Sequence, residues 1–301
     1  MTRTRITLTS ALLGLLICPG SAPQAVADDP PDAPPPPATI LLTGIIRDFR
    51  EATALGGHPD FEVMPSTGLG RYAGNLAALI GADGKPVFTG NGARVAKQWR
   101  DSESRSICYL LYDEDLDDTA GLFSTPSTGG ITSASTFNQW FRDVPGVNMS
   151  QPLTLTLIRQ DDGMYVFDDA LDPYYASLGG FFPIDGRLFG NSGGLPDHNF
   201  HFTFDIKTQF TYDASAGQSF KFEGTDTVWL FIDGRLVNDL IGVHAAHDQF
   251  VDVDRLGLED GEQYTLHFFF AQQRRPQSHF RIETNVLMDG YHLMMVSAGF
   301  D

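Results

Sequence analysis

Cysteine is nearly absent from this chain: Cys18 and Cys108 are the two found in its 301 residues. Cys18 falls in a leader-like stretch, so the remainder carries one thiol and no intrachain disulfide is expected. A disulfide scaffold is thereby excluded, and the fold has to rest on buried apolar surface. Basic residues are scarce as well, 20 Lys+Arg against 38 Asp+Glu, for a formal net charge of −18. Binding nucleic acid through its phosphates needs clustered Lys and Arg, so DNA and RNA are excluded as partners. Long apolar runs are missing too, and no segment reaches the ~18 consecutive apolar residues of a membrane-spanning helix. The G-x-S-x-G elbow, the phosphate-binding loop and the dinucleotide-binding glycine pattern do not occur.

What the chain does contain is turn formers and phenylalanine: 31 Gly, 18 Pro and 23 Phe. Arg3 and Arg5, the apolar stretch Ala11 to Ile17 and the small residues Ala25-Val26-Ala27 predict a signal peptide over residues 1–27, cleaved before Asp28. Ile17 stands where a lipoprotein signal needs a small residue, so no lipid on Cys18 is expected. Residues 28–38 (DDPPDAPPPPA) predict an extended Pro-rich linker. The folded domain is expected over 39–290, with a tail at 291–301. The product is expected to be secreted, at the cell surface or in the periplasm.

Within the domain, Phe200, Phe202, Phe204 and Ile206 alternate with polar residues. So do Tyr264, Leu266, Phe268 and Phe270, and Phe280, Ile282, Thr284 and Val286. Period-two alternation predicts strands with one buried face. Val228 to Ile232 (VWLFI) is apolar throughout and predicts a strand covered on both faces. The pairs Asp162-Gly163, Asp185-Gly186, Asp233-Gly234 and Asp260-Gly261 predict tight turns. Ser135 or Thr136 is positioned to cap a helix over Phe137 to Val144. Cys108, in the apolar run Ile107 to Leu111, predicts a buried strand with an inert thiol. The sum is an all-β antiparallel sandwich, jelly-roll-like, with a helix-containing insertion. Its first strand, near Leu42 to Phe49, is expected close to its last, near Phe280 to Val286.

Several motifs, in order, resemble the fibro-slime domain family. They are Leu42-Thr43-Gly44-Ile45-Ile46-Arg47-Asp48-Phe49, His58-Pro59-Asp60-Phe61-Glu62, Phe181-Phe182-Pro183-Ile184-Asp185-Gly186 and His198 to Phe204. Val228 to Val237, Gly242-Val243-His244 and Phe280 to Thr284 complete the set. That family is a branch of the protective-antigen-type lectin-like β-sandwiches. The resemblance implies a ligand site at the start of the apolar strand, where two adjacent Asp bind Ca2+ beside a sugar. Here Gly224-Thr225-Asp226-Thr227-Val228-Trp229 keeps the middle acid of the family's usual Gly-Asp-Asp-Asp-Val-Trp. Ca2+ takes ~6–8 oxygen ligands, so the loss of a carboxylate predicts weak or absent binding. Thr225, Asp226, Thr227 and His244 are the expected ligand contacts, and Asp226 and Asp239 the expected metal ligands. Folding is expected to survive loss of Asp226, taken as a rim residue outside the core.

Other constellations have plainer readings. Asp113, Asp115 and Asp117 match the opening of an EF-hand loop, but Asp118 and Ser124 fail its Gly and Glu positions, which leaves a solvated acidic loop. His244 and His247 have no third ligand at a zinc-like spacing. Asn148-Met149-Ser150 is a glycosylation sequon. Trp140 and Trp229 read as core, whereas Tyr174 and Tyr175 read as an exposed pair suited to stacking on a sugar. Asp161, Asp162, Asp168 and Asp169 would be the acids of a glycosidase, but their hairpin spacing makes them turn residues. The expected function is a non-enzymatic, adhesin-like module that binds extracellular polysaccharide or glycan, with other surface or matrix proteins as further partners. The alternatives are a structural matrix subunit without ligand and, behind it, a glycoside hydrolase.

Overall fold

A computed structural model describes residues 35–243 and 246–288 of the chain. The alternating segments form strands, thirteen among the described residues. The first six are β1 (Thr39–Phe49), β2 (Gly70–Ala73), β3 (Ala93–Lys97), β4 (Leu122–Pro126), β5 (Asn148–Arg159) and β6 (Tyr165–Asp168). Then follow β7 (Phe202–Thr211), β8 (Ser219–Gly224), β9 (Thr227–Ile232), β10 (Arg235–Val243), β11 (His247–Asp252), β12 (Gln263–Gln272) and β13 (Phe280–Thr284). Two short helices are α1 (Ala134–Phe137) and α2 (Pro173–Leu178). The strands pair in the order β11-β8-β13-β6-β5-β1-β7-β12-β9-β10-β2-β3-β4, every pairing antiparallel.

The sheet folds over on itself into a sandwich. Leu42 and Ile46 of β1, Phe204 and Ile206 of β7, Leu230 of β9 and Phe268 and Phe270 of β12 share one core with Phe220, Phe222 and Ile282 from β8 and β13. Each fully buried Phe there contributes roughly 1.5–3 kcal/mol of burial free energy. A second core lies on the outer face of β9 and β12. There Trp229, Phe231, Phe269 and Ala271 meet Phe61, Tyr72, Phe137, Trp140 and Phe141 of the insertion between β1 and β5. Strand β9 is therefore buried at every position, as its unbroken apolar run requires.

The histidine and acids of the His58 to Glu62 motif fasten this insertion. Asp60 accepts the Thr132 amide at 2.8 Å and the Trp140 indole N–H at 3.0 Å, and His58 Nε2 lies 3.2 Å from the Thr136 carbonyl. Asp233-Gly234 closes the β9–β10 hairpin with φ of 50° and 72°, the left-handed pair that Asp-Gly supplies at low cost. Asp162-Gly163 joins β5 to β6. Asp185-Gly186 and Asp260-Gly261 turn the chain in loops and close no hairpin.

Four expectations are corrected. Ser133, and neither Ser135 nor Thr136, caps α1, through a capping box with Thr136, and the helix ends at Phe137. Cys108 is fully buried, but Tyr109–Leu111 is a 3-10 turn instead of a strand. Strand β1 does not pair with β13, because β5 and β6 lie between them. Asn148 of the sequon is buried; its side chain donates to the Gln139 and Arg142 carbonyls and accepts the Val144 amide, so it is a turn staple.

Candidate functional site

Strands β8 and β9 are joined by the turn at Thr225-Asp226, and all three residues Thr225, Asp226 and Thr227 are buried. Each holds the segment that follows β12. Thr225 Oγ1 accepts the His279 amide at 3.1 Å. Asp226 Oδ2 accepts the amides of Gln273 at 2.7 Å and Arg274 at 3.3 Å. Thr227 Oγ1 donates to Gln273 Oε1 at 2.7 Å and accepts the Gly242 amide at 3.2 Å. Burial raises the Asp226 pKa to about 7, with the two amide donors pulling it back. Asp226 is thus a buried anchor of the 273–279 loop, which overturns its reading as a dispensable rim residue.

The same loop is fixed from its other side. Gln272 Nε2 donates to the Arg274 and Gln277 carbonyls, both at 2.8 Å. Ser278 Oγ donates to the Phe181 carbonyl at 2.7 Å, and the Phe181 amide donates back to the Ser278 carbonyl at 3.0 Å. Asp169 Oδ1 binds His279 Nδ1 at 2.6 Å and the Phe280 amide at 2.9 Å. The hydrogen bond from Asp169 raises the His279 pKa, and His279 Nε2 lies 3.9 Å from Glu223. Between these groups opens a pocket of about 500 Å³, lined by Asp169, Ala170, Ala176, Gly179, Gly180, Thr225, Ala246, Pro276, Gln277, Ser278 and His279. Its walls offer hydroxyl, carboxylate and imidazole groups on a backbone held by hydrogen bonds, which suits a ligand rich in hydroxyls.

Other expected site residues lie elsewhere. Asp239, on β10, turns to the second core: Oδ1 accepts the Trp229 indole N–H at 3.0 Å and Oδ2 the Gly74 amide at 2.7 Å. Burial raises its pKa to about 6, and it shares no hydrogen-bond partner with Asp226. Tyr174 and Tyr175 are not an exposed pair. Adjacent on α2, they point about 100° apart around the helix axis: Tyr174 is 52% exposed, while Tyr175 is 8% exposed and packs on Phe167 and Phe181. His244 lies outside the described residues. In the acidic loop, Asp118 is held by Arg255 at 2.7 and 3.0 Å, whereas Asp113, Glu114, Asp115 and Asp117 face solvent. Of the glycosidase candidates, Asp162 caps its own hairpin, Asp168 pairs with Arg281 and Asp169 with His279.

Besides the Asp185–His198 pair, two carboxylate–histidine groups escaped the sequence reading. Asp169 with His279 is one. In the other, Glu62 binds His201 Nε2 at 3.0 Å and Arg275 at 3.3 Å, and Glu51 binds Arg275 at 2.6 Å. Glu51, Glu62 and His201 lie close enough to share a metal ion, but the Arg275 guanidinium already pairs with both carboxylates. His279 immediately precedes the Phe280 to Thr284 run, so the signal was adjacent to a motif already singled out.

Residues 189–293, which include β7 to β13, match the model of the PA14 domain, a lectin-like β-sandwich of the carbohydrate-binding type. The chain is 31% identical over 284 residues to protein psiD of Dictyostelium discoideum, covering 92% of this chain and 46% of psiD. It is 37% identical to psiQ of the same organism over 170 residues, covering 52% of this chain and 16% of psiQ. With psiC, also from that organism, it shares 36% over 164 residues, 52% of this chain and 30% of psiC. The chain therefore spans less than half the length of these curated relatives. Among solved structures, a β-glucosidase from Kluyveromyces marxianus in complex with glucose overlaps 33% of this chain and 13% of its own at 11% identity and a TM-score of 0.22. The GH31 α-xylosidase of Xanthomonas citri overlaps 83% and 22% at 10% identity and a TM-score of 0.24. Likeness this loose says nothing about ligand or activity.

Proposed function

We propose that the chain is an exported, non-catalytic module that binds a glycan of an extracellular polysaccharide or matrix in the pocket beside Thr225. One observation carries this reading: the pocket of about 500 Å³ opens at the β8–β9 turn, among the strands that match the PA14 domain. That is the place where the fibro-slime resemblance puts the ligand. A pocket of this size accommodates a mono- or disaccharide, since small-molecule sites run to ~300–1,000 Å³. Asp169 and Thr225 supply acceptors, and the imidazole of His279, fixed through Nδ1, offers Nε2 as a donor when protonated.

Calcium fits this donor set poorly. Both Asp239 oxygens accept N–H donors, Thr225 brings no charge, and Asp226 Oδ2 faces two amides. Of Asp226 and Asp239 at most one carboxylate oxygen is left. Asp168, Asp169 and His279 lie close enough to share an ion, but Asp168 already pairs with Arg281 and Asp169 with His279, a set short of the ~6–8 oxygens that Ca2+ takes. Glycan binding is accordingly assigned to the protein's own groups. Hydrolysis is disfavoured by the same pairing: Asp168 and Asp169 are bound to Arg281 and His279, so neither is free as nucleophile or acid.

The test is a glycan array on the full chain, followed by calorimetry on any hit with and without EDTA. Binding that survives EDTA, falls roughly tenfold or more in His279→Ala and releases no reducing sugar is the expected result. An empty array would favour the structural-subunit reading, and release of reducing sugar would establish the hydrolase.

A further inference from the structure

A second pocket, of about 240 Å³, lies away from the Thr225 turn, between the segment after β1 and the glycine-rich loop that precedes β7. Its polar side chains are Arg50, Glu51, Asn191, Ser192 and His201. Four of the five already have partners inside the protein. Glu51 pairs with Arg275, and Asn191 bridges the Gly186 amide and the Asp197 carbonyl. Ser192 Oγ meets His201 Nδ1, and His201 Nε2 meets Glu62.

Arg50 is different. Its side chain makes no hydrogen bond and no ion pair with any described residue. The guanidinium sits over the Phe189 ring, Cζ lying 3.6 Å from the centroid, and its charge acts from a distance on the buried Asp48 carboxylate. Stacking uses the face of a guanidinium and leaves its in-plane N–H donors unspent. Phe189 is itself fixed, because its amide donates to the buried Asp48 carboxylate at 2.7 Å. In a chain with nearly two acids per base, seven of the fourteen described arginines, Arg47, Arg105, Arg142, Arg255, Arg274, Arg275 and Arg281, pair with carboxylates, and Arg71, Arg94, Arg100 and Arg235 donate to neutral oxygens. An arginine held over an aromatic ring at a pocket, with no side-chain acceptor of its own, is placed to meet an acceptor from outside.

We propose that this pocket binds the carboxylate of an acidic sugar, with Arg50 as the pairing fork. A planar monoanion matches both the geometry and the single charge of the guanidinium. The volume is on the scale of one pyranose ring. The sugar half of this assignment rests on the glycan-binding reading above, whereas the carboxylate half rests on Arg50 alone.

The test is calorimetric titration of the full chain with sodium glucuronate, glucose and sodium acetate, for the wild type, Arg50→Gln, Arg50→Lys and His279→Ala. Glucuronate is expected to bind the wild type and to lose roughly tenfold or more in Arg50→Gln, the scale of a charge-assisted hydrogen bond. Arg50→Lys should fall as well, since an ammonium lacks the planar fork, and His279→Ala should leave glucuronate unchanged. Glucose should not displace glucuronate. No glucuronate binding, or equal affinity in Arg50→Gln, overturns the proposal. Acetate binding as tightly as glucuronate, with both lost in Arg50→Gln, overturns the sugar half while the carboxylate half stands.

Discussion

Replacing Asp226 by Ala tests whether the carboxylate is an anchor or a rim group. Oδ2 accepts the amides of Gln273 and Arg274 at 2.7 and 3.3 Å, and the side chain is 1% exposed. Truncation leaves two donors without their acceptor, and each buried, unsatisfied N–H costs about 1–3 kcal/mol. Part of this is offset, because the protein no longer buries a group that is about half ionised at pH 7, given a pKa of about 7. The net expectation is a loss of roughly 2–4 kcal/mol, a large part of the ~5–15 kcal/mol typical of a domain. Asp226→Asn keeps one neutral oxygen in the place of Oδ2, so it should stay within about 1 kcal/mol of the wild type at pH 7. Urea denaturation followed by the fluorescence of the buried Trp140 and Trp229 reads both variants. An Ala variant within ~0.5 kcal/mol of the wild type, inside the range of ordinary surface substitutions, would refute the anchoring role.

Asp48 makes a pH prediction. Burial raises its pKa from 3.8 to about 7, so the folded state holds the proton more tightly than the unfolded state. The stability from that proton is complete below pH ~4 and is lost as pH rises through ~7, a change of up to about 4 kcal/mol. Asp48→Asn removes this slope; a wild-type minus variant difference that stays constant from pH ~4 to ~8 would contradict it. Gly180 makes a packing prediction: a Cβ there would sit 2.5 Å from the Ser278 carbonyl oxygen and 3.0 Å from the Phe182 ring. Gly180→Ala should cost about 1–3 kcal/mol and lower Tm by several degrees, together with any glycan binding in the Thr225 pocket. An unchanged Tm would show that the loop yields without cost.

Local pattern made much of the sandwich legible. Alternation around Phe202, Phe268 and Phe280 marked strands, and the unbroken VWLFI run marked a strand with a core on each side. What local pattern could not carry was the partner across space. Phe269 and Ala271 are buried in the core shared with the insertion, where Phe141 packs on Phe269, and nothing within β12 announces that cover. Tyr175 is buried because one turn of helix points it at Phe167 and Phe181, where a loop would have left it beside Tyr174. The same limit hid the site. Asp169 and His279 are 110 residues apart in sequence and 2.6 Å apart in space. Asp226, read from its neighbours, looked like a surface acid because its two amide donors arrive from the far end of β12.

These carboxylates have a common use, which changes how the net charge is to be read. Asp48 holds the Phe189 amide across 141 residues, Asp60 that of Thr132 across 72, and Asp169 that of Phe280 across 111. Asp226 holds Gln273 across 47 residues and Asp239 holds Gly74 across 165. Each bond joins a loop to a distant segment, and each of these five acids is buried. An Asp can do this where a disulfide would otherwise serve, since one carboxylate accepts several backbone N–H groups at once. Two differences follow from the chemistry. A carboxylate staple is indifferent to redox conditions, and its strength varies with pH: where burial raises the pKa, as at Asp48, Asp226 and Asp239, the folded state gains stability as pH falls and the proton is taken up. Part of the acidic excess is therefore internal scaffolding in a chain whose Cys108 is unpaired. That share of the −18 carries no information about partners, and the surface a ligand meets is less acidic than composition alone implies. An arginine left unpaired at a pocket is, against that background, the more telling charge.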